Sequence, residues 1–472
     1  MHVELNGERA VYRRMMSIGA PIVGTVADHV PVARFLSAVF QQPSPEEFAS
    51  SVDDPFYNPA DRILLKHGDT ILAHAHLTWR TINFGKARWP LCRLNWLGVL
   101  PEYREQGLDG VLMDEAETQL RQLRPALVEL GCRQSPVIQR PGWVAVGRYV
   151  FSQASPRALL AHLSEERASH ASAAYSSLAA PAKSVTARVW RRFELPSLLQ
   201  IYRENVTGTH GPLQRTETYW RWLLARRAYD QIYVAVETDS KQTTIGLGDG
   251  HRDANHDFGD LQGDVSSDLI GGHGRERIVG YAVTRHSQIV ELMTEPDNWK
   301  AARSLLEAAC RDAIDSDHHA VRLHAPESSP LHEFFITAGG SFHPREALPG
   351  ETMLIWLPDI DRHMARVGPD LAARARSAGM TLPCELGIET AGEREKLVIR
   401  GRKARIESDH TGRHFLRCDR GNWIRLLAGY DDAVTAFQEG RITPSTAKAE
   451  QIAAALWPNL SVWRPIWDDL SA

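Results

Sequence analysis

The sequence predicts an α/β chain in which two tandem mixed-sheet units precede a small α+β domain. Three observations predict it. Strand-like apolar runs alternate with amphipathic helical stretches through most of the chain, and the order strand, loop, helix, strand at 92–130 recurs at 288–323. After about residue 382 the pattern changes to consecutive short strands and then to helices, which is an α+β order. At 472 residues the chain is also too long for one ordinary core.

The elements follow in order. A strand is expected at 21–26, then a helix at 30–40 with Val32, Leu36 and Val39 on its apolar face. Strands at 62–66 and 70–80 flank a His67-Gly68-Asp69 turn, and another spans 92–100. Leu108, Leu112, Ala116, Leu120 and Leu123 recur at helical spacing until Pro125. Strands at 126–130 and 143–152 complete a first unit, 1–158. Residues 159–185, rich in Ser, Ala and Glu, read as a linker, partly helical. The second unit, 186–358, carries helices at 194–205 and 216–226, strands at 231–236, 277–285 and 288–293, a helix at 299–314 and a strand at 320–323. Its stretch 238–274, rich in Gly, Asp and Ser, reads as a disordered insertion. A connecting segment, 359–381, leads to the third unit, 382–472. There, strands at 384–389, 396–400, 403–407 and 414–418 precede helices at 421–428, 431–439 and 445–456 and a Trp-rich tail, Trp463 to Trp467.

Composition narrows the function. Apolar residues make up 43% and charged residues 24%, as in soluble globular proteins, and the net charge of −4 gives no basic footprint for nucleic acid. No apolar run is long enough to span a membrane, and the N-terminus has no signal-like core. Five scattered cysteines without CxxC spacing argue against a disulfide framework, so a reducing cytoplasm is expected. Oligomeric state is left open, a homo-oligomer included.

The chemistry concentrates at 97–110. A strand ends at Pro101, a Gly-containing turn follows, and a helix opens behind it. Free N–H groups and the positive end of the helix dipole make such a junction an anion site. Gly107 permits close backbone approach and Arg104 adds positive charge, so a pyrophosphate-bearing ligand is expected at 104–110.

Val99-Leu100-Pro101-Glu102-Tyr103-Arg104-Glu105-Gln106-Gly107 resembles the acyl-CoA loop of the GNAT superfamily of N-acyltransferases, V-x-P-x-x-R-x-x-G-x-G/A, and Arg140-Pro141-Gly142-Trp143 resembles its R-x-G-[FYW]. The three-unit order resembles the enhanced-intracellular-survival type, with two fused GNAT units and a sterol-carrier-protein-like tail domain. The resemblance implies an acetyl-CoA-dependent N-acetyltransferase in which a primary amine attacks the thioester directly. It also implies coenzyme contacts from Leu97, Val99, Leu100, Arg104, Glu105, Gln106, Gly107, Leu108, Asp109 and Gly110, and no metal. Asp109 departs from the pattern, standing where Gly or Ala is usual, and its carboxylate would repel phosphate. The second unit has Glu295-Pro296-Asp297-Asn298 at the matching place, with neither Arg nor Gly, and is expected to be structural.

Amine acetylation needs a base for the ammonium and an acid for the leaving thiolate. The resembling family uses a Tyr ahead of R-x-G-[FYW] as acid and the terminal carboxylate as base. Here Ile138 stands at the first place, leaving Tyr149 as a substitute, and Ala472 carries the carboxylate. His74 and His76, at i and i+2 on one strand, share a sheet face and are further base candidates. The alternative is a catalytically degenerate GNAT-fold binding or regulatory protein.

Overall fold

The computed structural model describes residues 19–132, 140–147, 149–174, 184–238, 276–346, 352–408 and 410–470. The first sheet begins as a meander: β1 (Ile22–Val23), β2 (Arg62–His67), β3 (Thr70–Phe84) and β4 (Ala87–Val99) pair antiparallel in sequence order. A helix, Leu108–Leu123, then crosses over to β5 (Leu127–Cys132), which joins β4 in parallel. The helix forms because its stripe packs on the sheet, with Leu108, Leu112, Ala116 and Leu120 all buried. Leu123, expected in that stripe, is 59% exposed at the final turn.

The stretch 143–152, expected as one closing strand, is two strands in different sheets. β6 (Val144–Val146) stays in the first sheet, whereas β7 (Tyr149–Ala154) joins the second. β8 (Ser184–Val189) lies at the far edge of that second sheet, and β9 (His210–Leu213) reaches back to pair with β3. The second sheet continues through β10 (Gln231–Thr238), β11 (Arg277–Arg285), β12 (Gln288–Thr294), β13 (Val321–His324) and β14 (Ser341–Glu346). β15 (Thr352–Trp356) then returns to the first sheet. The exchange is reciprocal: β15 lies between β5 and β6, and β7 lies between β13 and β14. Residues 158 and 358 therefore do not separate the sheets. Most of the expected linker is a helix, Pro156–Ala174, that buries Leu159 and Leu163 in the second unit's core. Residues 175–183 and nearly all of the expected insertion 238–274 lie outside the described residues.

The third sheet orders β16 (Cys384–Thr390), β17 (Glu393–Arg400), β18 (Lys403–Ser408), β19 (Phe415–Cys418) and β20 (Ile442–Pro444) as 18-17-16-19-20, with only β16 and β19 parallel. The expected connector is largely a helix, Ile360–Ser377, whose Met364, Val367, Leu371 and Ala375 are buried; it packs on β17 and β18. From the last helix, Ala447–Leu456, the chain runs back between the first two units. Trp463 N–H donates to the His210 carbonyl at 3.0 Å, and Gly211 (φ 107°) leaves no space there for a Cβ. Arg464 grips Glu129 of β5 through two bonds of 2.8 and 2.9 Å, and Trp467 is fully buried. At the tail's end, the buried Arg215 binds Asp468 (2.9 Å) and Glu291 of β12 (2.6 Å) together.

Candidate active site

The first cleft arises where β4 parts from β5. Their parallel pairing runs from Leu91↔Leu127 to Leu94↔Leu130, after which β4 continues alone on that side to Val99. On its other side the register with β3 slips between His74 and His76, opposite Trp96, whose φ is 53°. His74 fixes this bulge. Its Nε2 lies 2.9 Å from Arg62 Nη1, a group that can only donate, so Nδ1–H donates to the Trp96 carbonyl at 2.9 Å. Both ring nitrogens are thereby committed. Burial and the Arg62 charge pull the His74 pKa down to about 3, so the expected role of His74 as a base is corrected to that of a structural clamp. His76 also fails as a base that titrates near neutrality. Burial and the charge of Arg62 hold its pKa well below the usual imidazole value.

β4 leads into a tight turn, Pro101–Gln106, and Gly107 (φ 69°) swings the chain into the helix in a left-handed conformation that suits glycine. No side chain caps the helix, and the backbone N–H of Val111 bonds Gly107 O at 3.3 Å, so the first-turn N–H groups of Leu108, Asp109 and Gly110 are left for an anion. Arg104 is exposed and forms no hydrogen bond or ion pair among the described residues; Glu105 is exposed as well. Gln106 Oε1 is buried without a hydrogen-bond partner. Val99 and Leu108 bury their side chains, while Leu97 and Leu100 are half-buried at the edge of the same core. The Asp109 side chain makes no hydrogen bond among the described residues, so it does not itself cap the helix.

The second unit offers a direct contrast. β12 and β13 pair only at Gln288↔Arg322 and Ile289↔Leu323, and a cavity of about 680 Å³ lies beyond their divergence. Its helix start is occupied from within, because the Asn298 side chain accepts from Ala301 N–H at 3.1 Å. Glu295 pairs with Arg277 at the rim.

A separate cavity of about 460 Å³ meets the bulge of β4. Asn95 and Trp96 form one side; Tyr57, Arg62, His76, Arg80 and Trp222 form others, and the tail residues Asp468, Asp469 and Leu470 enter it. Tyr149 and Met353 reach this wall on the two exchanged strands, β7 and β15. The structure thus brings His76, Tyr149 and the end of the tail together, while Ile138 and Ala472 lie outside the described residues. Sequence reasoning missed Arg62, Arg226 and the Arg215–Asp468 pair. No local pattern marks them, since they meet only through elements far apart in the chain.

Residues 24–146 match the family model described as an acetyltransferase (GNAT) domain. Among solved structures, the chain is similar to a GCN5-related N-acetyltransferase from Anabaena variabilis (11% identity, TM-score 0.62), covering 94% of this chain and 98% of that one. A GCN5-related N-acetyltransferase from Kribbella flavida is similar at 15% identity and TM-score 0.58, with 94% and 98% covered. Eis1 from Mycobacterium abscessus is similar at 13% identity and TM-score 0.54, with 93% and 97% covered. At these identities the likeness is one of fold. No curated protein matches the chain.

Proposed function

From the premise that this chain is an acyltransferase whose residues 24–146 are a GNAT domain, we propose that its first unit transfers an acetyl group from acetyl-CoA to a primary amine. The observation that carries the reading is the junction of β4 with its helix: a strand that leaves its neighbour after Leu94 runs into a helix start that no side chain caps. The thioester supplies the activated acetyl group. The N–H groups of Leu108, Asp109 and Gly110, with Arg104 beside them, receive the pyrophosphate. Backbone groups of Leu97 and Val99 hold the pantetheine arm, and a β4 N–H donates to the oxygen of the reacting carbonyl as charge develops there. The amine attacks from the 460 Å³ cavity, with no covalent enzyme intermediate.

In this reading Tyr149 protonates the departing thiolate, supported by its place on the cavity wall shared with Asn95 and Trp96. The carboxylate of Ala472 takes the ammonium proton, supported by Leu470, two residues earlier, lining the same cavity. The second unit shapes that cavity and binds no coenzyme. A reducing cytoplasm suits the free cysteines Cys92, Cys310, Cys384 and Cys418. A second reading, a degenerate GNAT-fold binding or regulatory protein, draws on Asp109 in the first turn of the helix.

Calorimetry with acetyl-CoA tests the proposal, and absence of binding at millimolar coenzyme overturns it. Binding that Arg104→Ala leaves unchanged would relocate the site. Binding without thiol release across a panel of amines would favour the second reading.

A further inference from the structure

Two guanidinium groups face the acceptor cavity without a carboxylate partner. Arg62, on β2, is 2% exposed. Its Nε donates to Tyr57 Oη at 3.1 Å, its Nη1 donates to His74 Nε2 at 2.9 Å, and it lies over the Phe48 and Tyr57 rings at 5.5 and 5.3 Å. All these partners are neutral, and among the described residues no carboxylate pairs with Arg62. Arg226 is 8% exposed and stacks on Trp222 at 4.6 Å; its Nη2 donates to the Trp467 carbonyl, and its Nε is buried with no partner. Three acids of the cavity wall are already taken: Asp54 by Arg80, Asp468 by Arg215 and Asp469 by Arg93. Glu47, a fourth, is half-buried and accepts from Ser44 N–H at the start of its own helix.

Burial of an arginine without a counter-ion is costly, and it does not lose its proton to escape the cost. An anion arriving with the ligand would offset it. Building on the reading of this cavity as the acceptor site, we propose that the acceptor carries a carboxylate as well as its amine, the carboxylate seating on Arg62 with Arg226 as a second cation. Register sets the reach. Arg62 pairs with His76 on β3, and His76 pairs with Asn95 on β4. Two strand spacings, about 10 Å, therefore separate the β2 and β4 backbones. An extended ω-amino acid spans that interval better than an α-amino acid.

The test uses the full chain with acetyl-CoA and three amines: 6-aminohexanoate, its neutral amide, and an aminoalkyl phosphate of similar length. The expected kcat/KM for the acid exceeds that for the amide at least tenfold. Arg62→Met and Arg226→Met are each expected to bring the ratio close to one, whereas Arg62→Lys retains part of it. The ratio cancels any general loss of activity, and Arg226→Met serves if Arg62→Met fails to fold. A still better phosphate would keep the anion site and change the anion. Turnover of acid and amide at equal rates overturns this inference and leaves the acyltransferase reading intact. If none of the three amines is acetylated, the acyltransferase reading rests on the coenzyme-binding and amine-panel tests above, and calorimetry with the acid and the amide alone still decides the anion site. The acid must bind and the amide must not; equal binding, or none, overturns the site.

Discussion

Arg215→Met should unfold the junction between the tail and the second unit, because it leaves two buried acids facing each other. Arg215 donates to Glu291 through bonds of 2.9 and 2.6 Å and to Asp468 through two of 2.9 Å, with all three side chains fully buried. Tyr281 adds a bond to Glu291 at 2.5 Å. One cation thus balances two carboxylates. Removing it costs about 3–5 kcal/mol, the usual range for a buried pair that loses one partner. Asp468→Asn perturbs the same place with the opposite charge logic. It leaves a neutral Arg215–Glu291 pair and removes a like-charge neighbour of Glu291, so about 1–2 kcal/mol is expected from the weakened bonds. Urea unfolding followed by tryptophan fluorescence would compare the two, with Trp220 and Trp467 packed 5.3 Å apart as local reporters. Arg215→Met should regain part of its loss as the pH falls through the carboxylate range, since protonation removes the unpaired charge. If Arg215→Met costs no more than Asp468→Asn, the ion cluster does not hold the tail.

Three further outcomes are expected. His76→Asn should leave the shape of the kcat/KM profile between pH 6 and 9 unchanged, because burial and the Arg62 charge hold the His76 pKa well below the usual imidazole value. Asp61→Asn should raise stability above pH 6 and have no such effect below about pH 4. Burial raises the Asp61 pKa to about 6 in the fold, against about 3.9 unfolded. The wild type therefore loses stability as pH rises through that window, which thermal unfolding at a series of pH values would read. Gly107→Val should weaken acetyl-CoA binding at least tenfold by calorimetry and destabilise the first unit by about 1–3 kcal/mol, because a β-branched residue is strained at φ 69°.

The local elements were legible because each carries its own periodicity. The stripe from Leu108 to Leu120 and the Gly107 turn could be read directly, as could the substitution of Glu295 and Asp297 for a phosphate loop in the second unit. The strand exchange was not legible. β7 and β15 are short, and nothing in Tyr149–Ala154 or Thr352–Trp356 distinguishes one sheet edge from the other. The histidine spacing marked a sheet face, but their chemistry is set by Arg62, twelve residues before His74, whose burial no local pattern reveals. Asp109, standing where Gly or Ala is usual, is legible in the sequence as a source of repulsion toward phosphate. In the fold no side chain caps the first-turn N–H groups beside it.

The reciprocal exchange of β7 and β15 also dictates an order of assembly during synthesis. A chain emerging from the ribosome has β5 and β6 available early, yet the strand that belongs between them ends at Trp356. Until then the first sheet must wait with a vacant lane, exposing apolar edges that a chaperone could hold. The 460 Å³ cavity comes later still, since residues 466–470 complete its wall. Premature termination anywhere in the third unit therefore yields a chain in which the cleft beside β4 is fully encoded but the 460 Å³ cavity is missing a side.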